Sequence, residues 1–138
     1  MILYLDSSSI VKLYAQEPDT AEMKRQAADA EEVASSRIAY AEVRSAFARK
    51  RREGLLSFAD YTEAVSALRA EWRRFVVVDV TQQVVELAGA LCETHKLRAM
   101  DAIHLASAKL LASGAGAPVR VSSSDPRLRE AAAAEGMA

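Results

Sequence analysis

The chain has 138 residues, with 18 basic and 19 acidic side chains for a net charge of −1, and a single cysteine. That length predicts one domain over residues 1–138, large enough to bury a core without disulfides or a structural metal. At 51% hydrophobic and 27% charged residues the composition excludes disorder, the lone Cys92 excludes an internal disulfide, and the near-zero charge leaves only local clusters to attract nucleic acid.

The opening Met1-Ile-Leu-Tyr-Leu-Asp6 lacks the basic region and long apolar run of a secretory signal, so a cytoplasmic protein is expected, with no membrane span anywhere in the chain. Residues 2–5 form a short apolar run suited to a buried parallel strand. Ser7, Ser8 and Ser9 then offer caps for a helix over 8–15, which Glu17-Pro18 ends. Asp19, with Glu22 three residues on, reads as a capping box opening a second helix. Residues 32–35 predict a second strand, and a long helix follows over 38–53 with Gly54 as its stop. Ser57 with Asp60 opens a helix in which Phe58, Tyr61, Val65, Leu68, Trp72 and Phe75 keep a heptad-like spacing, so these two helices predict an αα-hairpin. Val76, Val77, Val78 and Val80 predict a third strand. Helices over 82–95 and 100–113 follow, the second stopped by Gly114-Ala-Gly116. Residues 119–122 are the last strand, and Asp125-Pro126 opens an alanine-rich helix. Strands alternating with helices imply a parallel sheet covered on both faces. Aromatics are only 6%, so alanine and valine fill much of the interior and let the helices approach closely.

In open parallel sheets, sites form outside the carboxyl ends of the strands. Asp6 follows the first strand, Asp125 the last, Asp101 begins a helix and Glu42 lies in the first turns of helix 38–53. Such a fold can direct all four to one edge. Two ionised carboxylates ~4 Å apart repel by about 4 kcal/mol at an effective dielectric of about 20, so the group must hold protons or bind cations. Oxygen ligands without cysteine suit Mg²⁺ or Mn²⁺, ions that activate water and stabilise the oxyanions of an in-line phosphodiester cleavage. Each acid also has a plainer reading. Asp125 before Pro126 is a good N-cap, Asp101 can cap the helix it begins, and Glu42 beside Arg44 can be a solvated side chain. Asp6 is harder to set aside, because an acid closing an apolar strand before three serines is a poor choice for stability alone.

These residues resemble the PIN-domain ribonucleases, specifically the VapC toxins of bacterial toxin–antitoxin pairs, over nearly the whole chain. Ile2-Leu-Tyr-Leu-Asp6-Ser-Ser8 is similar to the family's apolar strand, aspartate and hydroxyl pair, and Ala41-Glu42-Val43 to the glutamate of its long helix. Leu97-Arg98-Ala-Met-Asp101-Ala-Ile-His104-Leu-Ala106 resembles the third acidic motif and is the most specific segment. Val121-Ser-Ser123-Ser-Asp125-Pro-Arg-Leu128 resembles the fourth, with serine at 123 where threonine is common. The resemblance implies a PIN-like three-layer α/β fold, a short parallel sheet flanked by helices with a helical hairpin. It implies a Mg²⁺- or Mn²⁺-dependent endoribonuclease in which Asp6 and Asp101 are the principal metal ligands. Glu42 and Asp125 would complete the acidic pocket, directly or through water, while Ser8 and Ser123 orient carboxylates. A cognate antitoxin, received at the paired helices 38–53 and 58–75, and a homodimer are implied as well.

Other features have two readings each. Arg49-Lys50-Arg51-Arg52 either complements a helix dipole or meets RNA phosphates or an acidic partner segment. Arg98 either touches a scissile phosphate or forms a surface salt bridge. His104, one turn after Asp101, is a proton donor, a hydrogen-bond partner of an acid, or a satisfied core histidine. His95 reads as a helix-end interaction and Cys92 as a small core residue. The stripe from Phe58 to Phe75 is core or a groove for an amphipathic partner helix. The competing function is a non-catalytic PIN-like module that keeps its acids for metal or partner binding. An aspartyl-phosphate phosphatase would want an aspartate at position 8, where serine stands.

Overall fold

The computed structural model describes residues 1–138. Its strands β1 (Ile2–Leu5), β2 (Glu32–Ser36), β3 (Val76–Val78) and β4 (Val119–Ser122) form one parallel sheet in the order β3-β2-β1-β4. β1 is the central strand: Ile2, Leu3, Tyr4 and Leu5 lie opposite Val119, Arg120, Val121 and Ser122, while Ile2, Leu3 and Tyr4 lie opposite Glu32, Val33 and Ala34 on the other side. Pairing on both sides explains why its sequence is an unbroken apolar run. Alternation along the strand sends Leu3 and Leu5 to one layer of the core, Ile2 and Tyr4 to the other.

Seven helices cover the sheet: α1 (Ser7–Tyr14), α2 (Thr20–Asp29), α3 (Ala39–Arg52), α4 (Phe58–Trp72), α5 (Gln82–Thr94), α6 (Ala99–Ala115) and α7 (Pro126–Ala134). The first four pack with Leu3 and Leu5 around Ile10, Val43, Phe47 and Leu68. The last three pack with Ile2 and Tyr4 around Val84, Leu91, Leu105 and Leu128. The result is the three-layer α/β architecture expected from the alternation of elements. Small residues line the second layer, with Ala88, Ala102, Ala106, Ala108, Ala131 and Ala132 all buried, and Cys92 packs half-buried against it. No helix is long and apolar enough to cross a membrane.

Several local expectations need correction. The serines do not cap α1: the extended residue is Asp6, whose side chain accepts the Ser9 N–H, and Ser7–Ser9 are already its first turn. Asp19 precedes α2 but makes no cap bond, because its backbone is not extended and Lys12 Nζ holds its carboxylate at 2.6 Å. Glu22 turns to Gln26 and Arg25 instead of back to the cap. β2 extends one residue further, to Ser36, and α3 is a residue shorter at each end than 38–53. β3 stops at Val78, since it pairs with β2 alone and Asp79 leaves to bind Arg37 at 2.8 Å. α6 runs through Gly114 and ends at Gly116, which takes the left-handed conformation of a C-cap. The cost of Gly114, about 1 kcal/mol, is overridden by Leu110, Leu111 and Ala112 packing on the core. Gly54, Ser57 and Pro126 act as the sequence indicates. The stripe on α4 is only partly core: Leu68 is fully buried, Tyr61, Val65 and Trp72 are half-buried, and Phe58 is 64% exposed under the Arg51 guanidinium.

Candidate active site

Adjacent β1 and β4 end side by side at the carboxyl edge of the sheet, and the turns that follow them interlock. The Asp6 N–H donates to the Ser122 carbonyl at 3.2 Å. The Asp6 side chain is 4% exposed, and its oxygens are shared between two sets of donors. Oδ1 accepts from Ser9 N–H at 3.0 Å and Ser8 Oγ–H at 2.6 Å, and Oδ2 from Ser123 Oγ–H at 2.5 Å. Each hydroxyl is held in turn by a backbone donor of the β4–α7 turn, Ser124 N–H on Ser8 Oγ and Asp125 N–H on Ser123 Oγ, both at 3.0 Å. Three donors and no acceptor suit the acceptor-only carboxylate. They leave Oδ2 as the less engaged oxygen.

Asp125 takes the plainer role as well, accepting the Arg127 N–H at 2.9 Å as the N-cap of α7, where Pro126 fits the first helical position. Asp101 does not cap: Arg98 occupies the cap of α6, and Asp101 stands in its first turn. Arg98 is exposed and pairs with no acid, so the expected surface salt bridge is absent among the ion pairs of the structure. Glu42 lies in the first turn of α3. Its Oε1 is 2.7 Å from Nε2 of His104, which is 1% exposed, and His104 Nδ1 is 2.8 Å from Tyr4 Oη. His104 is thus both buried and bound to an acid. Burial pushes the Tyr4 phenol well above its ordinary range. His95 ends α5 but its Nε2 meets Glu135 at 2.9 Å, so its side chain ties α5 to the end of α7 rather than capping its own helix.

The four acids therefore come from four elements and share one electrostatic field. Asp101 registers it: burial raises the proton affinity of its carboxyl, the charges of Asp125 and Asp6 raise it further, Glu42 adds to this, and His104 opposes it. No three of the acids and histidines lie close enough to enclose one ion with protein atoms alone. The set is an open, oxygen-only rim. A hard cation that keeps several waters and binds through one or two carboxylates fits such a rim, whereas a soft or fully protein-caged ion does not.

An acid that holds its proton more tightly in the folded chain contributes stability that is full below its unfolded pKa and is lost as pH rises through the folded value. The penalty therefore grows as pH rises above the ordinary carboxylate range. Asp101→Asn is expected to raise the melting temperature of the chelator-treated protein by a few degrees at pH 7, with the gain shrinking toward pH 4. Calorimetric or circular-dichroism melts at the two pH values check this; an equal shift at both would contradict it.

Sequence reasoning did not find Tyr4 as part of this network. Its one local signal is a hydroxyl on an otherwise apolar strand two residues before Asp6, and its partner lies on a helix at the other end of the chain.

Comparison with known proteins agrees with this architecture. The family model for the PIN domain matches residues 3–134. Ribonuclease VapC46 of Mycobacterium tuberculosis is 37% identical over 99% of this chain and 94% of its own length. Ribonuclease VapC45 from the same species is 36% identical over 78% of this chain and 74% of its own. Among solved structures, the sarcin-ricin-loop-cleaving toxin VapC20 of Mycobacterium tuberculosis superposes with a TM-score of 0.67 at 18% identity, covering 99% of this chain and 96% of that one. FitAcB from Neisseria gonorrhoeae gives 0.64 at 21% identity, with 96% and 94% covered. A toxin–antitoxin complex from Klebsiella pneumoniae gives 0.65 at 20%, with 89% and 86% covered. The sheet order, the helices on both faces and the sequence relatives converge on one assignment: this chain belongs to the PIN-domain family, in its VapC branch.

Proposed function

We propose that residues 1–138 act as one PIN-like unit, a Mg²⁺- or Mn²⁺-dependent endoribonuclease that hydrolyses RNA phosphodiester bonds as the toxin of a cytoplasmic toxin–antitoxin pair. What supports this reading most is the field at Asp101, whose carboxyl is pushed toward its protonated form by burial first and then by the charges of Asp125, Asp6 and Glu42. Asp6 and Asp101 are the principal ligands in this reading, and Glu42 and Asp125 complete the rim. A bound divalent ion supplies activated water and offsets charge on the phosphate oxygens. The chain's own contribution is orientation. Ser8 and Ser123 fix both oxygens of Asp6 in advance, and both hydroxyls hang from the backbone turn that carries Asp125.

RNA access is supported by a cleft of about 490 Å³ between α1 and α3, which runs from Ser8, Glu42 and Ser124 to Arg49 and Lys50. Lys50 is paired with Glu17 at 3.4 Å, while Arg49 is exposed and unpaired, one helix face along from Glu42. Arg98 is likewise free beside Asp101. Arg49→Ala is expected to weaken RNA binding alike for all sequences and to lower the salt-dependence slope by about 1; filter binding across a salt series measures both.

Solved PIN relatives include toxin–antitoxin assemblies, one from Klebsiella pneumoniae and VapBC2 of Rickettsia felis. We assign the antitoxin here to a groove of about 980 Å³ lined by Leu13, Ala27, Val33, Ala64, Ala67 and Phe75. Five acids rim it against two bases, Glu31, Glu32, Asp60, Glu63 and Glu71 against Lys24 and Arg74. An amphipathic segment with basic flanks suits that lining. In this reading α4, the second of the paired helices 38–53 and 58–75, lines the groove, and α3 packs behind it through Ala39, Val43 and Phe47. A homodimer is expected, with sedimentation velocity as the check.

The direct test is incubation of the chain with RNA and Mn²⁺, with and without chelator. Chelator-sensitive cleavage supports the reading. No cleavage, with a melting temperature that still rises in Mg²⁺, would instead favour a non-catalytic metal-binding module.

A further inference from the structure

Among the four acids, Glu42 is the one whose single hydrogen bond comes from a buried ring. Asp6 is fixed by two hydroxyls and a backbone N–H, and Asp125 by the cap it makes. Glu42 sits on a longer side chain with more rotamer freedom to lose, its side chain is 25% exposed, and its one hydrogen bond in the structure comes from His104. That bond has a built backing. A carboxylate only accepts, so His104 Nε2 carries the hydrogen directed at Oε1. With the ring neutral, Nδ1 is its acceptor, and Tyr4 Oη stands 2.8 Å away to donate to it. Tyr4 is fully buried in the central strand, His104 is 1% exposed, and the two rings meet edge-on with centroids 5.9 Å apart. Neither ring has room to follow a wandering carboxylate.

We propose that Tyr4 and His104 are positioning residues for the reaction: a buried relay in which the Tyr4 hydroxyl dictates the His104 tautomer and His104 fixes Oε1 of Glu42, so that Glu42 serves the acid rim through Oε2 alone. The proposal rests on the reading of Glu42 as part of a ribonuclease rim. It explains why a tyrosine is placed in an apolar central strand two residues before Asp6, and why a histidine is buried one turn after Asp101. A leucine at 104 would pack there without needing two polar partners, but would leave Glu42 free.

Two measurements on the full chain test it. The first uses the metal-free protein and needs no activity. Imidazole nitrogen shifts of His104 are expected to report a neutral ring with the hydrogen on Nε2, and a second tautomer should appear in Tyr4→Phe. A wild-type ring protonated on Nδ1 only, or no tautomer change in Tyr4→Phe, overturns the relay. The second is a double-mutant cycle on RNA cleavage in Mn²⁺. His104→Leu is expected to lower kcat by about 10- to 100-fold, with His104→Gln, which retains a donor, losing less. Tyr4→Phe, which keeps the ring volume, should lose several-fold in kcat with KM unchanged and keep the proposal testable where His104→Leu fails to fold. In the Glu42→Gln background these substitutions should cost no further kcat. An equal loss with and without the native Glu42 would show that His104 supports the fold and not this acid. If the wild-type chain cleaves no RNA, the ribonuclease reading fails while the tautomer measurement still decides the relay.

Discussion

Asp6→Asn is expected to lower kcat/KM for RNA cleavage in Mn²⁺ by at least about 100-fold, the scale of losing one preorganised charged group from a catalytic site, while the melting temperature moves by only a few degrees. The substitution is nearly isosteric. An asparagine Oδ1 can still cap α1 by accepting the Ser9 N–H and the Ser8 hydroxyl. What it cannot do is replace the second oxygen. An amide nitrogen in the place of Oδ2 only donates, so it cannot accept the Ser123 hydroxyl hydrogen that Oδ2 receives. The negative charge disappears, and the Ser123 hydroxyl loses the acceptor that orients it. Parallel rate and melting measurements separate the two effects. Undiminished cleavage by a folded variant would reject the assigned site.

The largest loss of stability is expected from Phe47→Ala. Phe47 is fully buried on α3, edge-on to Tyr14 with ring centroids 6.5 Å apart. Ala39, Val43 and Phe47 are four residues apart and form the apolar face by which α3 docks between α1 and α4. Emptying the largest of these positions costs about 3–5 kcal/mol, a major fraction of the roughly 5–15 kcal/mol that holds an ordinary domain together. Chemical denaturation should show a lower midpoint with an unchanged slope. Because Glu42 is carried by the same helix, one residue off the buried face, cleavage should fall in step with the folded fraction. A variant as stable as the wild type would mean that α3 is not anchored through this face.

Where the sequence was legible, the physics was local or periodic. Ile2–Leu5 reads as a central strand because pairing on both sides demands an apolar run, and Asp6 and Asp125 read as edge residues because strands end there. Position in an α/β sheet then follows from general topology. What could not be read was decided by tertiary competition. Asp6 rather than a serine caps α1, since the strand's extended backbone persists one residue past Leu5 and the chain turns helical at Ser7. Asp19 and Glu22 have capping-box spacing, yet Lys12 and Arg25 hold them instead. β3 is shorter than its valines suggest because an edge strand has pairing on one side only. Ser8 and Ser123 were expected near carboxylates, but both meeting the same aspartate depends on β1 and β4 being neighbours 117 residues apart in sequence. The Tyr4–His104–Glu42 chain spans three elements, one from each layer of the fold, and no spacing rule brings it together.

The central claim is that the acid rim formed by Asp6, Glu42, Asp101 and Asp125 holds the ion on which cleavage depends. Crystals soaked in Mn²⁺ and measured for anomalous scattering test it most directly. The expected result is an anomalous peak at the carboxyl edge of β1, within about 2.0–2.2 Å of an oxygen of Asp6 or Asp101, that vanishes in Asp101→Asn together with activity. An active wild-type enzyme whose Mn²⁺ lies elsewhere, with no density at this edge, would contradict the account.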